Sequence, residues 1–196
     1  MTQAIRLSYA RPAAVDRLRQ PSMPVAYQAT LVVAAALLTA LAAQVGDLRV
    51  YGWIVPLTLQ TLVVYGSGLF LGWRNGLLAQ ALYVALGLVL PFYTGGASGL
   101  EYAMGATGGY LVGFPLAAMT IGLVSRHWNS LAGTFLATYA GSCVLFACGV
   151  SWLVFGVGVD AKTAVVNGWL AFIVFDLAKI AIVSMAYTGS RRLTRR

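Results

Sequence analysis

The chain predicts an all-α integral membrane protein, a bundle of six transmembrane helices, and three observations carry that prediction. Of its 196 residues, 60% are hydrophobic and 9% are charged, where a soluble domain carries about 25% charged residues. The mean hydropathy is +0.81. Six apolar segments, roughly 25–44, 54–73, 75–91, 105–124, 130–155 and 164–188, each reach the length of about 17 to 25 residues that a helix needs to cross hydrocarbon. Residues 1–24 then form a polar cytoplasmic segment, 25–188 the membrane domain and 189–196 a basic cytoplasmic tail.

A net charge of +8 would point to nucleic acid in a soluble protein, but here the arginines gather at segment ends and no nucleic-acid partner is expected. With six crossings, one side holds Arg6, Arg11, Arg17, Arg19, Arg74, Arg126, Arg191, Arg192, Arg195 and Arg196 against Asp16 alone. The other holds Arg49 and Lys162 against Asp47, Glu101 and Asp160. The positive-inside rule therefore places both termini in the cytoplasm of a multi-pass protein of the inner (cytoplasmic) membrane.

Taken in order, the first segment is dense in alanine. Ala36 and Ala40 form a small-x-x-x-small pair, as do Thr39 and Ala43, which lets another helix approach closely. Internal packing and a docking face for a second protein are both open for Ala36 and Ala40. Ala40-Leu41-Ala42 has the form of a signal-peptidase site, but the run is long enough to span, so an uncleaved first helix is expected. The connection from Val45 to Pro56 carries Tyr51 and Trp53 and alternates like a short strand. The second segment opens with Thr58, Gln60 and Thr61, polar groups that either satisfy neighbouring helices or line a cavity.

The third segment ends at Leu90-Pro91, and a glycine-rich loop containing Thr94 follows. No G-K-[ST] accompanies the glycines, so the chain has no phosphate loop of its own. In the fourth segment Gly105, Gly109, Gly113 and Ala117 recur every four residues, and in the fifth Gly133, Ala137 and Gly141 do the same. Two such ridges predict a compact bundle. Cys143 and Cys148 read as buried small hydrophobes, and His127, the one histidine, as a surface-loop residue, so no metal site and no cofactor are expected.

The sixth segment holds the charged pair. Asp176 and Lys179 lie near the middle of an otherwise apolar stretch, 169 to 187. Ionisable groups at that depth are costly, normally face a protein-lined space and mark function. Three residues of helix bring both head groups to nearly one face. A packing ion pair is the alternative.

Several motifs now coincide. V-P-L-T-L-Q-T-L at 55–62, L-P-F-Y-T-G-G at 90–96, G-A-T-G-G-Y-L-V-G-F-P-L-A at 105–117 and F-D-L-A-K at 175–179 resemble the BioY family, the biotin-binding S-components of energy-coupling-factor (ECF) transporters. The chain departs from the family pattern in having Ala106 where proline is usual, and Val174-Phe175 where Pro-Gly is usual. The resemblance implies an S-component-like bundle of six helices that is not an enzyme, with a biotin pocket toward the external side and Asp176 and Lys179 as ligand residues. It also implies docking through the first helix onto a transmembrane coupling subunit driven by two ATPases, while leaving open whether that module is required. Biotin offers a ureido ring with two N–H donors and one acceptor, plus a carboxylate tail. A carboxylate and an ammonium match those groups in more than one way. Trp169, Phe172 and Phe175 are candidates to cover the rings, and Thr94 and Gln60 to add polar contacts. The rival readings are an S-component for a different vitamin, a membrane-embedded enzyme with Asp176 as proton carrier, and a purely structural bundle.

Overall fold

The computed structural model describes residues 13–45, 55–128 and 130–194. The strand-like stretch around Tyr51 and Trp53, and the charges at Arg6, Arg11, Asp47, Arg49, Arg195 and Arg196, lie outside the described residues.

Among the described residues seven α-helices run in the order α1 Val25–Gln44, α2 Gln60–Gly87, α3 Gly99–Ala103, α4 Gly108–Ser125, α5 Leu131–Phe155, α6 Ala161–Gly168 and α7 Ile173–Leu193, with short 3-10 turns at Ala14–Arg19, Thr94–Gly96 and Leu170–Phe172. Among the described residues, four helical stretches are long and apolar enough to cross a membrane: Val25–Gln44, Gly108–Ser125, Leu131–Phe155 and Ala161–Leu193. The all-α membrane class stands, and the count of six uniform segments is corrected in two places.

The first correction is the short extra helix α3 between the third and fourth segments, whereas α2 spans the segments expected at 54–73 and 75–91 and keeps them as two arms. At Gly72 the backbone takes φ 76 and ψ −178, a region that residues with a Cβ avoid. The chain reverses there. An unbroken helix would hold residues 23 apart at roughly 35 Å, yet Gln60 Nε2 donates to Tyr83 OH at 2.6 Å across 23 residues. Gln80 Nε2 likewise reaches Ser67 Oγ at 3.1 Å. The stretches 60–71 and 73–87 are therefore two antiparallel arms of a helical hairpin. The second correction concerns 164–188. It divides into α6, the turn Leu170–Phe172 and α7, because Trp169 leaves helical geometry at φ −132, ψ −62.

The hairpin packs between α1 and α4, and α4 packs in turn on α5. Small residues allow this. A Cβ on Gly109 would lie 2.2 Å from Trp152 Cβ of α5, and one on Gly122 would lie 2.2 Å from the Trp73 nitrogen of α2. Gly113 meets Leu145, and Gly141 meets Ile121 and Ala117. The two ridges meet in part only, since Gly105 precedes α4 and Gly133 abuts Trp128.

Both described ends of the chain lie at one pole. The turn Ala14–Arg19 docks there: Arg19 donates to Tyr187 OH at 2.8 Å, Ser125 Oγ at 2.8 Å and the Gly122 carbonyl at 3.0 Å. Asp16 accepts from Arg191 Nη2 at 2.9 Å and from Tyr187 OH at 3.1 Å. The end of the 1–24 segment is thus built into the bundle rather than standing apart. The tip of the α2 hairpin shares this terminal pole, and the opposite, distal pole holds the site.

Ala36 and Ala40 are 1% and 6% exposed. They face the hairpin on the same side as Thr39, whose hydroxyl bonds Gln80. Internal packing accounts for the pair, and the docking expectation at these two residues is withdrawn. The outward face of α1 carries Val33, Leu37, Leu38 and Leu41 instead.

Candidate functional site

At the distal pole α2, α4, α5 and α7 converge on a cavity of about 620 Å³, its open side included. Asp176 and Lys179 both line it. They sit on one side of the first two turns of α7, three residues apart, as helical spacing requires.

The two charges are held separately. Asp176 Oδ1 accepts from Tyr65 OH at 2.6 Å, and Oδ2 accepts from Ser142 Oγ at 2.5 Å. Lys179 Nζ donates to the Thr58 carbonyl at 2.6 Å and to Thr61 Oγ1 at 2.9 Å. Among the described residues neither charge is tied to the other by an ion pair. A carboxylate offers about four lone-pair sites and an ammonium three donors. After these bonds Asp176 can still accept at both oxygens, and Lys179 keeps one donor for a ligand.

A polar chain leads from Lys179 to the loop before α3. Thr58 Oγ1 donates to Gln60 Oε1 at 2.9 Å, Thr94 Oγ1 donates to the same oxygen at 3.1 Å, and Gln60 Nε2 donates to Tyr83 OH. Gln60 and Thr94 both line the cavity, as does Phe172. Trp169 does not. It stacks on Phe146 at 6.0 Å and 9°, one layer behind a ring that does line the space. Phe175 is 48% exposed on the outer face of α7, which excludes it from the cavity.

The remaining wall is aromatic and was not read from the sequence. Tyr83, Tyr102, Tyr110, Phe114 and Phe146 line it. Tyr110 is fixed by donating to the Gly168 carbonyl at 2.7 Å, and Tyr102 by stacking on Tyr93 at 5.1 Å. The arrangement offers flat apolar walls, an acceptor pair and a cationic donor. It therefore suits a small ring system bearing N–H donors and a separate acceptor or anion. Among the described residues no cluster of metal-ligating side chains occurs.

The BioY family matches residues 14–196. The chain belongs to the BioY family. A biotin transporter BioY of Thermotoga maritima is 37% identical over 140 residues, covering 71% of this chain and 82% of that protein. A biotin transporter BioY of Rhodobacter capsulatus is 33% identical over 147 residues, covering 68% of this chain and 77% of that one. Among solved structures, the S-component for biotin from an ECF-type ABC transporter matches with a TM-score of 0.79 at 21% identity, covering 89% of this chain and all of the other. At that identity the structural likeness speaks for the fold of this BioY-family chain.

Proposed function

We propose that this chain captures biotin in the distal cavity and serves as the substrate-specific component of a biotin uptake system in the cytoplasmic membrane, not as an enzyme. The observation that carries the reading is the pairing of Asp176 with Lys179 in one aromatic-walled cavity, each held by neutral partners and each with bonding capacity left over. Asp176 accepts from the ureido N–H groups, and Lys179 donates to the ureido oxygen or the carboxylate tail. Gln60 and Thr94 extend that polar edge, Phe172 covers the rings, and Trp169 supports Phe146 from behind. Family membership and two relatives that are biotin transporters support the choice of ligand.

The ten-to-two arginine and lysine bias supports cytoplasmic termini, which turns the distal pole and its cavity outward. The likeness to the S-component of an ECF transporter supports a coupling subunit and two ATPases as partners.

Labelled biotin binding to the purified chain in detergent tests the reading. Wild type retains the label. Asp176→Asn and Lys179→Ala each weaken binding by on the order of 10- to 100-fold, the scale of a lost hydrogen bond to a charged group, while insertion and purification are unchanged. Wild-type binding by both variants overturns the site. Displacement of the label by another vitamin in preference to biotin overturns the ligand.

A further inference from the structure

A second hollow lies at the terminal pole, away from the biotin cavity. It encloses about 640 Å³, open mouth included, between the tip of the α2 hairpin, the end of α4 and the start of α1. Arg19, Arg74 and Arg126 line it together with Trp73, Asn75 and Gln28, and none of its lining residues is acidic.

Among the described residues no carboxylate lines the hollow beside that positive charge. Among the described residues Arg19 bonds to the neutral oxygens of Tyr187, Ser125 and Gly122, and the Tyr187 hydroxyl in turn donates to Asp16. The Arg74 guanidinium lies 5.9 Å from the centre of its neighbouring Trp73 ring, and Arg126 Nε donates to His127 Nε2 at 3.1 Å. Among the described residues none of the three meets a carboxylate. Asn75 adds an independent sign. It is 7% exposed, it lines the hollow, and its amide makes no hydrogen bond among the described residues. Its amide atoms are open to the hollow, where a ligand can reach them. Trp73, Arg74 and Asn75 are also the first turn after the break at Gly72. A helix start of this kind favours an anion.

We propose that this hollow binds the phosphate headgroup of an anionic phospholipid. Phosphate chemistry follows from three guanidiniums, an accessible amide and a helix N-terminus around one space. A lipid rather than a free anion follows from the surroundings. Trp73 is 41% exposed at the rim, in the manner of aromatics at a membrane interface. Val33 and Leu37 of α1 and Leu78 of α2, each 45% exposed or more, add apolar surface on the two helices that border the hollow.

Native mass spectrometry and thermal unfolding of the full chain in detergent test this, with phosphatidylglycerol against phosphatidylcholine. Wild type retains one phosphatidylglycerol in preference to phosphatidylcholine, and its unfolding midpoint rises. Arg74→Gln and Arg126→Gln each weaken retention about fivefold, and the double variant loses the preference although the basic tail is intact. Asn75→Leu also reduces it, and if that variant does not fold, the arginine double variant decides. Labelled biotin binding is unchanged in the arginine variants, so this test and that of the biotin site fail separately. Equal retention of both lipids, or a double variant that behaves as wild type, overturns the proposal. So does glycerol 3-phosphate alone giving the full midpoint shift, which assigns the hollow to a free phosphate compound.

Discussion

Asp176 is a carboxylate whose geometry is set by hydroxyls on two other helices. Tyr65 and Ser142 each spend a donor on it, so they position the acid rather than touch the ligand. Tyr65→Phe and Ser142→Ala should therefore weaken biotin binding through a misplaced carboxylate. Each should also lower stability by about 1–3 kcal/mol, the cost of removing one partner of a buried bond. The checks are the labelled-ligand titration and an unfolding midpoint on the same preparations. A Ser142→Thr variant that restores binding where Ser142→Ala loses it separates the role of the hydroxyl from that of bulk. Asp176 and Lys179 were legible in the sequence because charge in an apolar run is conspicuous. Tyr65, Ser142, Tyr83 and Phe146 were not, because a hydroxyl or ring in a membrane helix looks the same whether it packs, faces lipid or lines a cavity. Only the fold brings Tyr65 to an acid 111 residues away.

Elements were readable where apolar length alone defines them. α1 and α5 lie within a residue or so of the segments expected at 25–44 and 130–155. The α2 hairpin was readable as two segments parted near residue 74, although its turn is a single glycine. Its φ of 76 with extended ψ makes a direct prediction. Gly72→Ala should lower stability by about 1–3 kcal/mol, seen as a reduced unfolding midpoint with biotin binding retained in the cold, because the turn is at the pole away from the cavity. Gly122→Val should cost more. There the added atoms meet α2 backbone, which cannot rotate aside as a side-chain tip can, and close packing of α2 on α4 would be lost. The small-residue stripe on α1 shows the limit of pattern. Spacing identified a close-packing face at Ala36 and Ala40, while the direction of that face depends on where α2 falls.

Across the whole molecule, function divides between two poles. The distal one holds the proposed biotin cavity, and the terminal one ties the first described turn to the last helix through Asp16, Arg19, Tyr187 and Arg191. Asp16→Ala should loosen that tie, so trypsin should cut at Arg17 and Arg19 faster than in wild type, while labelled biotin binding at the far pole stays within about twofold. Breaking a partly buried, hydrogen-bonded charge pair is costly where one partner is left behind. The division also bears on biogenesis. The chain emerges from its N-terminus, and Asp176 and Lys179 arrive on the last helix, after the hydroxyls and rings that await them. A ribosome stalled before residue 173 should therefore yield an inserted but ligand-blind intermediate, whose Tyr65 and Ser142 hydroxyls lack their acid. Binding competence would switch on only when synthesis is almost finished, and stalled nascent chains of graded length, assayed for retained biotin, should show a single late step.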